Sequence, residues 1–173
     1  TLTGGNTGGA ITDADCKTNA ESMISSVFEA IQKLDENDVP SSDRAVVVTP
    51  DVYYQLCNVD KLVSRDFSKN NGDFGQGTVV SIGGVPVIKS NTAVTAFTDQ
   101  SAAISGTNNT YNVDAQYVGA VVFHKSAVGT VKLKDLVMES TYDPTKIGTL
   151  MTGRLALGHG ILRPESAVRI ISQ

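Results

Sequence analysis

The 173-residue chain has no tryptophan, only two histidines and two cysteines, and just 6% aromatic residues. Those scarcities exclude whole classes of function. His124, His159, Cys16 and Cys57 stand apart in the sequence, so no zinc-ligand spacing and no CxxC redox pair exists, and neither metal nor cofactor is expected. Without a paired spacing the cysteines are expected as free thiols in a reducing cytosol. No apolar run approaches the ~20 residues a membrane helix needs, so no membrane association is expected. Fourteen basic residues against eighteen acidic ones give a net charge of −4 and a pI near 5.0, which supplies no basic field for gripping nucleic acid. An initiating methionine is missing as well. The opening "TLTGGNTGGA" reads as a flexible linker over residues 1–11, and the chain is expected to be the C-terminal part of something longer.

Catalytic motifs are equally scarce. The stretch "FHKSAVGTVKLKD" (residues 123–135) crowds a histidine, lysines and hydroxyls behind an apolar run. It lacks the GxxxxGK[ST] spacing by which backbone N–H groups wrap a phosphate. "GDFGQG" (residues 72–77) precedes a strand instead of joining a strand to a helix, which removes a dinucleotide loop. No GxSxG elbow marks a nucleophile. Asp13, Asp15, Asp35 and Glu36 fall at helix ends, where solvated carboxylates are expected.

What is present is 40% hydrophobic residues in two kinds of period, with sixteen glycines to turn the chain: an α+β composition. Met23, Ile24, Val27, Phe28, Ile31 and Leu34 recur at helical spacing, predicting a helix over about 13–37 capped by "TDAD" and stopped before Pro40. "RAVVVTP" reads as a strand buried on both faces, and Thr49 and Pro50 then open a helix carrying Tyr53, Leu56 and Cys57 on one side. "TVVSIGGVPVIKS" predicts a hairpin turning at Gly83 and Gly84, with Pro86 confined to an edge or a bulge. Residues 90–116 show almost no periodicity and predict a long exposed surface loop.

The last third is extended. "YVGAVVF" reads as a buried strand, and "VKLKDLVMESTY" alternates until its apolar parity switches, which predicts a bulge near Asp135. Lys132 and Lys134 are expected on one face, toward solvent or a partner's carboxylate. Gly129 is expected at the crossing between the two lobes, where a bulky residue would not be tolerated if the turn requires a positive φ, and His159, between Gly158 and Gly160, at a close backbone approach or kink. "DPTK" turns the chain into "IGTLMTGRLALGHGI", the "RPE" corner follows, and "SAVRIIS" closes the fold. Long strands with little helix over them imply a thin sheet that needs partners to cover it.

Two blocks carry a likeness: "VFHKSAVGTVKLKDL" (residues 122–136) and "LALGHGILRPESAVRI" (residues 155–170), with "VPSSDRAVVVTPDVYYQL" upstream. In order and spacing they resemble the C-terminal region of the major capsid proteins of T7-like short-tailed phages. The resemblance implies the Hong Kong 97-type capsid fold. Residues 1–11 would be linker, 12–130 mainly the axial domain and 131–173 mainly peripheral-domain and connecting strands. The family's N-terminal arm, extended loop and spine helix have no counterpart in the chain. The resemblance further implies a non-catalytic shell subunit of the virion capsid, assembled in the host bacterial cytoplasm. Its partners would be copies of itself in hexamers and pentamers, a scaffolding protein, a portal, and DNA enclosed without sequence-specific binding. An encapsulin-type nanocompartment shell shares that fold and is the alternative, with a small α/β enzyme more distant. The residues carrying the family pattern, expected to be structural, are His124, Lys125, Ser126, Ala127, Gly129, Thr130, Lys132, Lys134, Asp135, Gly158, His159, Gly160, Arg163, Pro164 and Glu165, with Gly83 and Gly84 in the hairpin turn.

Overall fold

A computed structural model describes residues 9–59, 62, 72–73, 78–79, 81–96 and 115–172. In chain order these form β1 (Gly9–Thr12), α1 (Ala20–Glu36), β2 (Arg44–Val48), α2 (Pro50–Leu56), β3 (Gly72–Asp73), β4 (Thr78–Val79), β5 (Ser81–Ile82), β6 (Val85–Lys89), α3 (Asn91–Ala96), β7 (Val118–His124), β8 (Val128–Asp143), β9 (Gly148–Ile161) and β10 (Ala167–Ile171). Single 3₁₀ turns, Lys125–Ala127 and Pro164–Ser166, stand before β8 and β10.

Six strands make one mixed sheet in the order β1-β10-β7-β2-β6-β5. β1 runs parallel to β10 and β2 to β6, while β7 is antiparallel to both its neighbours. The register sets Ile170 beside Ile11 and Ala120, and Val46 beside Val122 and Val87, so one face is apolar and fully buried. Met23, Val27, Ala30 and Leu34 of α1 pack on it, joined by Val52, Tyr53 and Leu56 of α2. Ala45 and Val47 of β2 point the other way and are half-buried, so the strand expected to be buried on both faces is fully buried on one.

The linker and helix boundaries differ from expectation. β1 begins at Gly9, inside the segment read as linker, and Ile11 enters the core. The helix starts at Ala20, not near 13, because Asn19 is the residue whose side chain accepts from the Glu21 N–H (3.0 Å). Asp13, read as part of the cap, instead accepts from the hydroxyls of Ser22 (2.6 Å) and Ser26 (2.7 Å) and staples the preceding turn to the helix flank. Cys16, placed in the helix by the sequence reading, lies in that turn; both cysteines are buried thiols outside any disulfide.

The far end of α1 closes as a Schellman motif: the Val39 N–H reaches the Leu34 carbonyl and the Asp38 N–H reaches Asp35 (both 3.0 Å), with Asp38 at φ 53°. The β5–β6 hairpin forms where expected, pairing Ile82 with Val85 across Gly83 (φ 58°) and Gly84 (φ 80°), the two positive angles of a type I′ turn. Thr78–Val79, read as the outer arm of that hairpin, pairs with Gly72–Asp73 instead. Pro86 lies opposite Ser81 of the short edge strand β5. Within residues 90–116, read as one long loop, Asn91–Ala96 is helical; residues 97–114 and most of the preceding polar loop lie outside the described residues.

β8 and β9 leave this body as a separate two-stranded antiparallel ribbon, sixteen and fourteen residues long. The closing strand β10, grouped by the sequence reading with the peripheral strands, returns to the six-stranded sheet between β1 and β7.

Candidate functional site

The chain crosses between sheet and ribbon twice, and the two crossings are built alike. A 3₁₀ turn, Lys125–Ala127, follows β7 and another, Pro164–Ser166, precedes β10; "KSAV" (residues 125–128) and "ESAV" (residues 165–168) run through their ends, each with a serine at its second position. The Ser126 and Ser166 hydroxyls meet at 3.1 Å, and the Leu162 N–H donates to the Ala127 carbonyl at 3.0 Å. His124 caps the first turn: its Nδ1 accepts the Ser126 N–H (3.2 Å) and lies 2.8 Å from the Ser126 Oγ. His124 and Ser166 are buried and joined through the Ser126 hydroxyl, so together they brace the two turns. They present no nucleophile to a cleft.

Charged groups tie this joint to the helix and to β2. Arg163 donates to Glu165 (2.7 Å) and to the Asn37 carbonyl (3.3 Å), while the Asn37 amide donates to the Glu165 carbonyl (3.4 Å). The Arg163 bond holds the Glu165 carboxyl below the usual carboxylate range. Lys125 pairs with Asp43, and that bond and charge hold Asp43 low as well. The side chain of Arg44, 3% exposed, reaches Asp35 (2.6 Å) and donates to the carbonyls of Pro40 (2.9 Å) and Val39, pinning the loop after α1.

The structure brings His124, Lys125, Ser126, Ala127, Arg163, Pro164 and Glu165 together at this joint, leaves Gly83 and Gly84 in the β5–β6 hairpin and spreads the rest along the ribbon. Arg44, Ser166 and Asn37 were missed by the sequence reading. The available signals were the repeated "SAV" and a lone arginine leading an otherwise apolar strand. The turn does not require a positive φ of Gly129. Gly129 lies in β8, where an added Cβ would sit 2.7 Å from the Leu162 side chain, so close packing is the constraint. Gly158 and Gly160 have open space where a Cβ would go, so the close approach expected around His159 is absent; His159 Nδ1 bonds the Thr130 hydroxyl opposite at 2.9 Å.

The expected bulge near Asp135 is present twice over. Register shifts fall between Lys132 and Lys134 and again between Lys134 and Val137. Each inserts one extra β8 residue. Lys132 therefore opposes Leu157 and Lys134 opposes Ala156, neighbours on β9, so the lysines do not share a face. Lys132 pairs within the chain, donating to Asp135 (3.1 Å); that bond first, and the Leu136 N–H second, hold Asp135 low.

The register also makes one face of the ribbon richer in apolar side chains than the other. Val128, Met138 and Tyr142 of β8 align there with Met151, Leu155, Leu157 and Ile161 of β9, all exposed, with Thr130, Lys132 and His159 among them. The other face mixes Val131, Val137 and Leu150 with Lys134, Glu139, Arg154, Thr141 and Thr152 and with Gly129, Gly158 and Gly160, and Arg154 pairs with Glu139 at 2.8 Å. At the root the apolar face runs into a groove of about 320 Å³ lined by Val128, Ile161, Val121, Ala167, Arg163 and Arg169. Among the described residues no group of three His, Cys, Asp or Glu side chains could hold a metal ion.

Comparison with known proteins meets this geometry. Residues 1–171 match the family model described as Gp10A-like major capsid protein. The chain is 30% identical over 161 residues to the major capsid protein of Enterobacteria phage T3, covering 87% of the chain and 46% of the relative. It is 27% identical over 159 residues to that of Escherichia phage T7, covering 86% and 46%. The capsid structure of cyanophage P-SCSP1u superposes with a TM-score of 0.84 at 32% identity, over 96% of this chain and 54% of that one. The mature capsid of bacteriophage PhiM1 superposes at 0.74 with 25% identity, over 94% and 51%. The chain thus spans about half the length of the relatives it matches.

Proposed function

Because the chain belongs to the Gp10A-like major capsid protein family, we propose that it builds a phage head shell by self-association and performs no chemistry. Its fold is the Hong Kong 97-type capsid fold. The T3 and T7 relatives favour a phage coat over a nanocompartment. The six-stranded body corresponds in this reading to the axial domain and the ribbon, Val128–Ile161, to part of the peripheral-domain sheet. The observation that carries the reading is the apolar ribbon face left open to water. A two-stranded ribbon is marginal in water and needs a further layer, and a closed lattice would supply one from neighbouring copies. Many such contacts, each weak, sum to a stable shell. The acidic balance suits a container for DNA that does not grip it, with a scaffolding protein and a portal as assembly partners in the bacterial cytoplasm.

The test is a double substitution, Leu155→Asp with Leu157→Asp, on the open face. Sedimentation velocity should show the wild-type chain associating as concentration rises and the variant remaining monomeric, with the melting temperature of the body unchanged. A wild type that stays monomeric at the highest soluble concentration, or a variant that associates equally well, would sink the proposal.

A further inference from the structure

His124 is the buried imidazole at the joint, and the hydrogen bond it accepts decides which ring nitrogen is free of a proton. The Ser126 N–H points at Nδ1 (3.2 Å), which can accept that bond only while it carries no proton. Through the Ser126 N–H that nitrogen anchors the first turn, and the Ser126 hydroxyl in turn donates to the Ser166 hydroxyl of the second (3.1 Å). Neutral His124 therefore carries its proton on Nε2.

We infer that His124 is a proton-operated latch between sheet and ribbon: protonation of Nδ1 opposes one N–H to another, releases the first turn and loosens the second through the paired serines. The surrounding charges come from every element at the joint. The turn before β2 contributes Asp43, and β2 contributes Arg44, in register opposite His124 with its side chain buried; α1 contributes Asp35, already paired with Arg44. The first turn contributes Lys125, already paired with Asp43, and the second the Arg163–Glu165 pair. An imidazolium there would join a buried guanidinium, while Asp35, Asp43 and Glu165 already pair with Arg44, Lys125 and Arg163. Asp43 and Glu165 are held low, so both stay charged while a histidine titrates. The inference concerns the chain's own joint and stands apart from the capsid reading.

Amide hydrogen exchange of the intact chain tests it from about pH 8 to about 5.5, the window in which histidine charge changes. Rates are divided by the intrinsic unstructured rate at each pH. The reporter is the Leu162 N–H, which crosses to the Ala127 carbonyl. Opening that binds one proton should lower its protection, approaching about tenfold per pH unit. His124→Asn keeps an acceptor for the Ser126 N–H that cannot protonate, so its protection should stay flat, while His159→Asn should behave as wild type. Flat protection in the wild type, or the same fall in His124→Asn, would overturn the latch. If His124→Asn does not fold, ¹⁵N imidazole shifts of the wild type decide. An unprotonated Nδ1 near pH 8 that gains its proton as Ser126 N–H protection drops supports the latch; a protonated Nδ1 beside a protected Ser126 N–H refutes it.

Discussion

β7 and β8 are consecutive strands separated by one short turn, both rich in valine and leucine-sized side chains, and they meet opposite fates. In β7 every residue is buried or half-buried; in β8 almost every residue is exposed, Val131 to 73%. The difference lies in layers. β7 has a hydrogen-bonded neighbour on each side and α1 over one face, whereas β8 has β9 alone. Apolar side chains supply folding free energy only where a second layer excludes water from them. The same composition therefore stabilises the body in one place and advertises a surface in the other.

The sharpest test of that contrast is a matched pair of truncations. Leu34→Ala removes a side chain with no exposure from the centre of the core and should cost about 2–5 kcal/mol in urea unfolding. Leu157→Ala, 48% exposed on the ribbon, should cost the isolated chain less than about 0.5 kcal/mol while weakening self-association. Equal losses would break the division between body and surface. Next comes Arg44→Met, which deletes the donor to Asp35, Val39 and Pro40. Thermal melting should register a loss of about 1.5–3 kcal/mol, since the bonds come from a charged, buried group. Asp35→Ala should cost less, about 1 kcal/mol or below, because that carboxylate is 60% exposed.

Asp13 gives a smaller, pH-dependent effect. Burial alone would raise its carboxyl, but the Ser22 and Ser26 hydroxyls and the Asp15 N–H outweigh it and hold the group low. A lowered folded value means the stabilisation is fully present above the unfolded carboxylate value near ~3.9 and is lost as pH falls through the folded one. Urea midpoints of the wild type should therefore fall more steeply below about pH 4 than those of Asp13→Asn, which should be less stable at neutral pH by about 1 kcal/mol. The smallest change is a gain. Asp38 holds φ 53° in the Schellman position, where glycine is unstrained, so Asp38→Gly should raise the body's stability by about 0.5–1 kcal/mol without altering ribbon exchange.

By itself the sequence determined the pieces whose physics is local. Helical spacing from Met23 to Leu34 placed the helix that covers the sheet, Gly83-Gly84 could only be a tight hairpin turn, and the parity switch after Leu133 required the strand to bulge. Two long family blocks pointed to the capsid fold. Only the tertiary structure decided the rest, because it depends on which segments meet. Strand β10 returned to the body since Val168 and Ile170 could be buried beside β7, a pairing no local pattern encodes. The glycine-rich opening gained a strand because β10 offered it an edge, and Asn19 took the cap once Asp13 was occupied by Ser22 and Ser26. The joint itself, with His124, Ser126 and Ser166 bonded together and Arg44 holding the loop from β2, joins residues far apart in the chain. Their hydrogen bonds exist only after the sheet has closed, so the sequence could supply the donors and acceptors but not their partners.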